Sequence, residues 1–182
     1  MTVALVAGSA ACLWDDVVAA RKLCKFDAVY CVKMTGIEWP DEFDVWVTLH
    51  PEYMAEYREQ RRALGLPNGY QVVAPTIGEL GRHGVHPVDR RVSYRWAGMN
   101  ASASSGIYGA KVAMEDGHNV ILAGVPMDDS NHFSRGAPWR QHGAFEIGFQ
   151  NAVPFMRGRV RSMSGRTKEI LGPPTPEWIA GN

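Results

Sequence analysis

Ser104-Ser105-Gly106-Ile107-Tyr108-Gly109-Ala110-Lys111-Val112-Ala113-Met114-Glu115-Asp116-Gly117 runs into Val120-Ile121-Leu122-Ala123-Gly124-Val125, a helix signal followed at once by a buried-strand signal. Ile107, Ala110 and Met114 recur at three- and four-residue spacing, which predicts a helix over 105–116, and Gly117 supplies its stop. The apolar run after it has the pattern of a strand covered by helices on both faces. Similar runs stand at Val3-Ala4-Leu5-Val6-Ala7, Ala28-Val29-Tyr30-Cys31-Val32, Val45-Trp46-Val47-Thr48-Leu49 and Tyr70-Gln71-Val72-Val73-Ala74. Between the first two, Leu13, Val17, Ala20 and Cys24 mark a helix over 11–24, with Asp15 and Asp16 in its first turn, where they oppose the positive helix end. Pro51 suits the first turn of another helix, which carries Tyr53, Tyr57 and Leu64 on one stripe and Arg58, Arg61 and Arg62 at its carboxyl end. Parallel strands need long crossovers, so this alternation predicts an α/β chain with a single doubly wound, mostly parallel sheet and helices on both faces, the Rossmann-like class.

Outward from these elements the signals weaken. Arg91-Val92-Ser93-Tyr94-Arg95-Trp96 alternates like an edge strand, 75–90 shows no pattern, and a weak helix is expected over 137–152. Gly172-Pro173-Pro174-Thr175-Pro176 is too proline-rich to continue an element, which predicts one domain over 1–171 and a proline-rich arm over 172–182. A chain of 182 residues with 46% hydrophobic content suits one domain. Nineteen basic residues balance nineteen acidic ones, which argues against nucleic acid as a partner and makes any anion binding local. The apolar runs are strand-sized and no basic region precedes an apolar one at the start, so a cytoplasmic protein without a membrane span is expected. Cys12, Cys24 and Cys31 lack the spacing of a zinc or redox site and read as reduced thiols. Self-association into a homo-oligomer is compatible with this composition.

In doubly wound sheets ligands bind beyond the carboxyl ends of the strands. Those ends carry Gly8 and Ser9, Lys33 and Thr35, His50, and Pro126, Met127 and Asp128. Beside them, Ser104 and Ser105 either just cap helix 105–116 or combine with Gly106 to seat an anion. Gly8-Ser9-Ala10 lacks both the G-x-G-x-x-G of dinucleotide sites and the G-x-x-x-x-G-K of P-loops, so its small residues serve close nucleotide approach or tight strand–helix packing. Met127-Asp128-Asp129-Ser130-Asn131-His132-Phe133 offers an acid–base set: His132 as the base, with Asp128 or Asp129 to orient it or hold Mg²⁺, unless the histidine is simply exposed. His83, His86, His118 and His142 lack such placement. Arg157, Arg159, Arg161, Arg166 and Lys168, interrupted by Ser162, Ser164 and Gly165, either wrap a phosphate, with Arg161 central, or form a solvated face.

Ser104-Ser105-Gly106-Ile107-Tyr108, Ala113, Gly117, Ile121-Leu122-Ala123-Gly124-Val125 and Asp129-Ser130-Asn131-His132-Phe133 together resemble the bacterial sialyltransferases that use CMP-sialic acid, which carry T-S-G-V-Y, S-G-I-D and D-N-S-H-Y. Leu5-Val6-Ala7-Gly8-Ser9 is similar to their A-G-N-G-P-S loop, and Thr48-Leu49-His50-Pro51-Glu52 parallels a strand ending N-P-S. The DUF115 group, which includes archaeal pterin pyrophosphokinases, shares the pattern. The resemblance covers roughly residues 3 to 133 and speaks for fold more than reaction. It implies Gly8, Ser9, His50, Ser105 and Gly106 as nucleotide contacts and His132 as base. Ser9-Ala10-Ala11-Cys12 replaces N-G-P-S, and Lys33 and His50 stand where the family has asparagines that contact nucleotide. The tail, Val160-Arg161-Ser162-Met163-Ser164-Gly165 and the prolines after it, is similar in style to small phage proteins.

Three functions follow as expectations: a glycosyltransferase-like enzyme acting on a nucleotide sugar, a Mg²⁺-dependent pyrophosphokinase-like enzyme, and a nucleotide-binding protein without catalysis.

Overall fold

The computed structural model describes residues 2–81, 84–134, 136, 138–140 and 142–181. The four early apolar runs and the later one become β1 (Val3–Ala7), β2 (Ala28–Val32), β3 (Val45–Val47), β4 (Gln71–Ala74) and β6 (Asn119–Ala123), joined by short edge strands β5 (Arg90–Arg91) and β7 (Val160–Ser162). All pair in parallel in one sheet, ordered β5-β4-β3-β2-β1-β6-β7. The unbroken apolarity of β1 has a geometric cause. Successive side chains alternate faces, so Val3, Leu5 and Ala7 enter one helix-covered core while Ala4 and Val6 enter the other.

Helices α1 (Leu13–Arg21), α2 (Thr35–Glu38), α3 (Met54–Ala63) and α7 (Pro176–Ala180) contribute to the first core through Leu13, Ile37, Met54 and Trp178. Helices α4 (Ser105–Glu115), α5 (Glu146–Met156) and α6 (Gly165–Leu171) build the second through Ile107, Phe149 and Leu171. The doubly wound α/β fold expected from strand–helix alternation is therefore the fold observed. Among the described residues no helix is long and apolar enough to cross a membrane.

Four expectations change at the periphery. The edge strand expected over 91–96 contracts to β5, because β4 ends at Ala74-Pro75 and leaves residues beyond Val92 without a ladder partner. The weak helix over 137–152 shifts to α5, preceded by a 3₁₀ turn at His142–Phe145; Ala137 and Gln141, like His83, lie outside the described residues. The tail is more than an arm: Thr175 Oγ1 accepts from Trp178 N–H, Pro176 occupies the first turn of α7, and the buried Trp178 donates from Nε1 to Gly158 O at 2.6 Å. The basic run is built into β7 and α6. Arg159 donates to the carbonyls of Met114 and His118 at the end of α4 (3.2 and 2.8 Å), and Arg166 pairs with Glu146.

Arg61 shows how the connections are fixed. It is fully buried without a carboxylate partner among the described residues, and its guanidinium donates to the carbonyls of Pro67, Gly36, Trp39 and Asp41 while lying 4.8 Å from the centre of the Phe43 ring. Only a planar fork with five N–H groups reaches four carbonyls at once. Replacing it strands those acceptors. Arg61→Lys and Arg61→Met are each expected to lower the unfolding free energy by about 3 kcal/mol in urea titrations; a lysine variant as stable as the parent would show that the fork is not what holds this corner.

Candidate functional site

β1 and β6 are adjacent, yet the chain leaves β1 toward β2 on one side and β6 toward β7 on the other. A crevice opens where the connections diverge, as expected at such a switch point. Here the ends of the two strands nearly touch. A side chain on residue 8 would collide with Gly124 O and come within 2.5 Å of Val125 Cγ2, so Gly8 permits the approach, and Gly124 itself takes φ +65°. One turn along, a Cβ at Gly106 would lie 2.6 Å from Val125 Cγ1. Packing against Val125 therefore accounts for both glycines without a ligand.

The resulting cleft has a volume of about 1440 Å³. Gly8, Ser9, Lys33 and His50 line it from the first half of the sheet, and Ser104, Ser105, Gly106, Asp128 and His132 from the second. Nine sequence-predicted positions thus share one cavity. Arg161 stands apart: it donates to Leu171 O at 2.7 Å and lies 5.5 Å from the Trp178 ring centre, so its guanidinium serves the tail. Tyr53, Arg95, Trp139 and Phe145 also line the cleft; in the sequence Tyr53 belongs to a helix stripe and Arg95 to the expected edge strand, and no motif marks any of the four as a site residue.

Ser104 Oγ accepts from Ile107 N–H at 3.3 Å and is a helix cap. The N–H groups of Ser105 and Gly106, at the same helix end, have no acceptor among the described residues. Ser9 Oγ meets Thr35 Oγ1 at 3.1 Å, and Thr35 donates to Gly8 O at 2.6 Å, tying the β1 and β2 loops together. His50 Nδ1 lies 3.0 Å from Glu52 Oε1, with its ring stacked on Tyr53 at 5.6 Å. Asp128 Oδ1 accepts from Ser130 N–H at 3.0 Å and from its hydroxyl. Asp129 is exposed, and among the described residues no three His, Cys, Asp or Glu side chains form a group that could hold a metal ion.

His132 Nδ1 accepts from Ser134 N–H at 3.2 Å. A backbone N–H can only donate, so the neutral ring carries its proton on Nε2. The ring is thereby set to donate from Nε2. To act as a base it would first have to release Ser134.

The first helix, where dinucleotides usually place a pyrophosphate, is closed. Ala11 N–H bonds Asn131 O, Phe133 N–H bonds Ser9 O, and the buried Asp16 carboxylate accepts from Gly124 N–H at 2.8 Å and Ser164 Oγ at 2.6 Å. Cys12 Sγ, 3.2 Å from Ser164 Oγ, occupies the cap position of α1, and burial pushes its thiol up to about 11. One further feature sets the cleft apart. Lys33 (φ +50°), Leu80 (φ +58°) and Met127 (φ +56°), the non-glycine left-handed residues among those described, all line it. Such backbone strain concentrates at functional sites because surrounding structure must hold it in place.

Two outcomes test this picture. Gly106→Ala is expected to cost about 1–3 kcal/mol through collision with Val125, and adding Val125→Ala should recover most of that loss; a Gly106→Ala variant of parental stability would remove the packing argument. At pH 8 Cys12 should alkylate at least about tenfold more slowly than free cysteine, because burial raises its thiol pKa and leaves less thiolate. Mass spectrometry of iodoacetamide-treated protein reads it.

No family model matches the chain, and neither a curated protein nor a solved structure does.

Proposed function

We propose that the cleft binds a nucleotide or nucleotide sugar with a phosphate against the first turn of α4, and that the protein is a glycosyltransferase-like transferase. The observation that carries this reading is the pair of unaccepted N–H groups on Ser105 and Gly106, which begin an eleven-residue helix and line the switch-point cleft. Unpaired N–H groups and the helix dipole together favour an anion there. Three further features support it. The cleft is roomier than the 300–1,000 Å³ of a single small-molecule site, which leaves space for a second substrate. Lys33 and Arg95 supply cations on its walls. The strained backbone at Lys33, Leu80 and Met127 surrounds the same space.

The closed end of α1 directs the phosphate to α4 and sets this mode apart from dinucleotide binding. One observation favours a second reading, nucleotide binding without catalysis. His132 is held as a donor by Ser134, so the ring would stabilise a bound phosphate or leaving group more readily than it would take a proton.

Thermal-shift measurements with CMP, UMP, ATP and nucleotide sugars test binding. A ligand at about 100 times its Kd adds about 2.7 kcal/mol, so the melting temperature should rise by about 5 °C or more. No shift with any of them would sink both readings. Turnover of the nucleotide sugar that binds then separates them, since a binder without turnover is the second. Where turnover occurs, His132→Gln should keep it within about threefold if His132 donates, because the glutamine amide also donates, and lose about 100-fold if the ring is the base.

A further inference from the structure

The outer face of α1 leaves large apolar groups uncovered. Trp14 is 36% exposed and Val18 56% exposed, and Leu23, just past the helix end, is 41% exposed. Trp14 is not a loose side chain. Its ring stacks on the buried Trp39 at 5.7 Å and meets Phe133 edge-on at 6.0 Å, so it is a rigid aromatic projecting from the core. Under it, Trp39 Nε1 is buried without an acceptor among the described residues. Rigid tryptophans of this kind are the usual anchors of protein interfaces.

Charge on the same face selects the occupant. Asp15 lies in the first turn and Lys22 caps the last, both exposed, with Val18 and Ala19 between them. The helix therefore carries a negative charge near its positive dipole end and a positive charge near its negative one. Two copies of α1 packed antiparallel about the Val18–Ala19 midpoint bring Asp15 of each against Lys22 of the other, oppose the two helix dipoles, and cover Val18 and Ala19 at the centre. Parallel packing would set like charges side by side. Ala19 lets the backbones approach closely at the crossing.

We infer that this face is an interface with a second copy of the same chain, an isologous α1–α1 contact across a two-fold axis. The inference is independent of what the cleft binds. A nine-residue helix is about 13.5 Å long, so the buried area falls in the class of small, weak interfaces, and the dimer should form in the range of tens of micromolar.

Sedimentation velocity on the full chain from about 1 to 500 µM reads it directly. The apparent mass is expected to rise toward twice that of the 20.1 kDa chain across that range. Val18→Glu and Asp15→Lys should each move the midpoint at least about tenfold higher, and the exchange Asp15→Lys with Lys22→Asp should bring it back, since the swapped charges again complement each other across the two-fold axis. All three positions are exposed, so far-UV circular dichroism should be unchanged and a shift reports association rather than folding. A monomer mass at every concentration overturns the inference. So does a dimer whose midpoint ignores Val18→Glu and Asp15→Lys, or one that the charge exchange fails to restore.

Discussion

The contact between the carboxyl ends of β1 and β6 governs the molecule. Gly8 leaves no side chain between the strands, so Gly124 O sits against its Cα and Val125 fills the space up to Gly106. Two consequences follow. The first turn of α4 is drawn down to the sheet, which places Ser105 and Gly106 on the cleft wall; and the loop after β6 is brought beside the loop after β1, where the two bridge at Ala10 and His132. A larger residue at either glycine would separate the strand ends and with them the halves of the site.

Asp16 fixes the remaining side. It is a buried carboxylate without a cationic partner among the described residues, held by Gly124 N–H and the Ser164 hydroxyl, and so it joins α1, the end of β6 and the turn before α6. Thr167 completes this turn by donating to Val125 O at 2.6 Å. Hydrogen bonds to a buried carboxylate are among the stronger ones in proteins. The same bonds explain why the α1 end is closed to a ligand while the α4 end stays open. In α4 the cap comes from Ser104 and leaves the next two N–H groups without an acceptor among the described residues.

The arrangement also separates residue choices that packing explains from those it does not. Gly8, Gly106, Ser9 and Ser104 each have a complete structural explanation in Val125, Thr35 and Ile107. Left-handed backbone at Lys33, Leu80 and Met127 has none of that kind, since a lysine, a leucine and a methionine gain nothing from such a conformation. These three were invisible as a group in the sequence, because φ is a tertiary outcome and none of them is a glycine or asparagine that would announce it.

Runs such as Val3–Ala7 and Val120–Ala123 carried their own meaning: a strand that is apolar on both faces must be covered on both, and the helical spacing between the runs supplied the cover. The parallel sheet, the helix at Ser105 and the gathering of most site positions at one edge were therefore legible from local pattern. Short or charge-bearing elements were not. β7 has three residues and β5 two, too few for a period, and the arginines around β7 admit either a phosphate cradle or a solvated face until their partners in the fold are known: Met114 and His118 for Arg159, Leu171 for Arg161, and Glu146 for Arg166. Likewise the proton position on His132 depends on Ser134 N–H, and the closure of α1 on Ser164, 148 residues from Asp16. Periodicity is a property of neighbours along the chain, whereas hydrogen-bond partners and exposure belong to neighbours in space, which are fixed once the chain has folded.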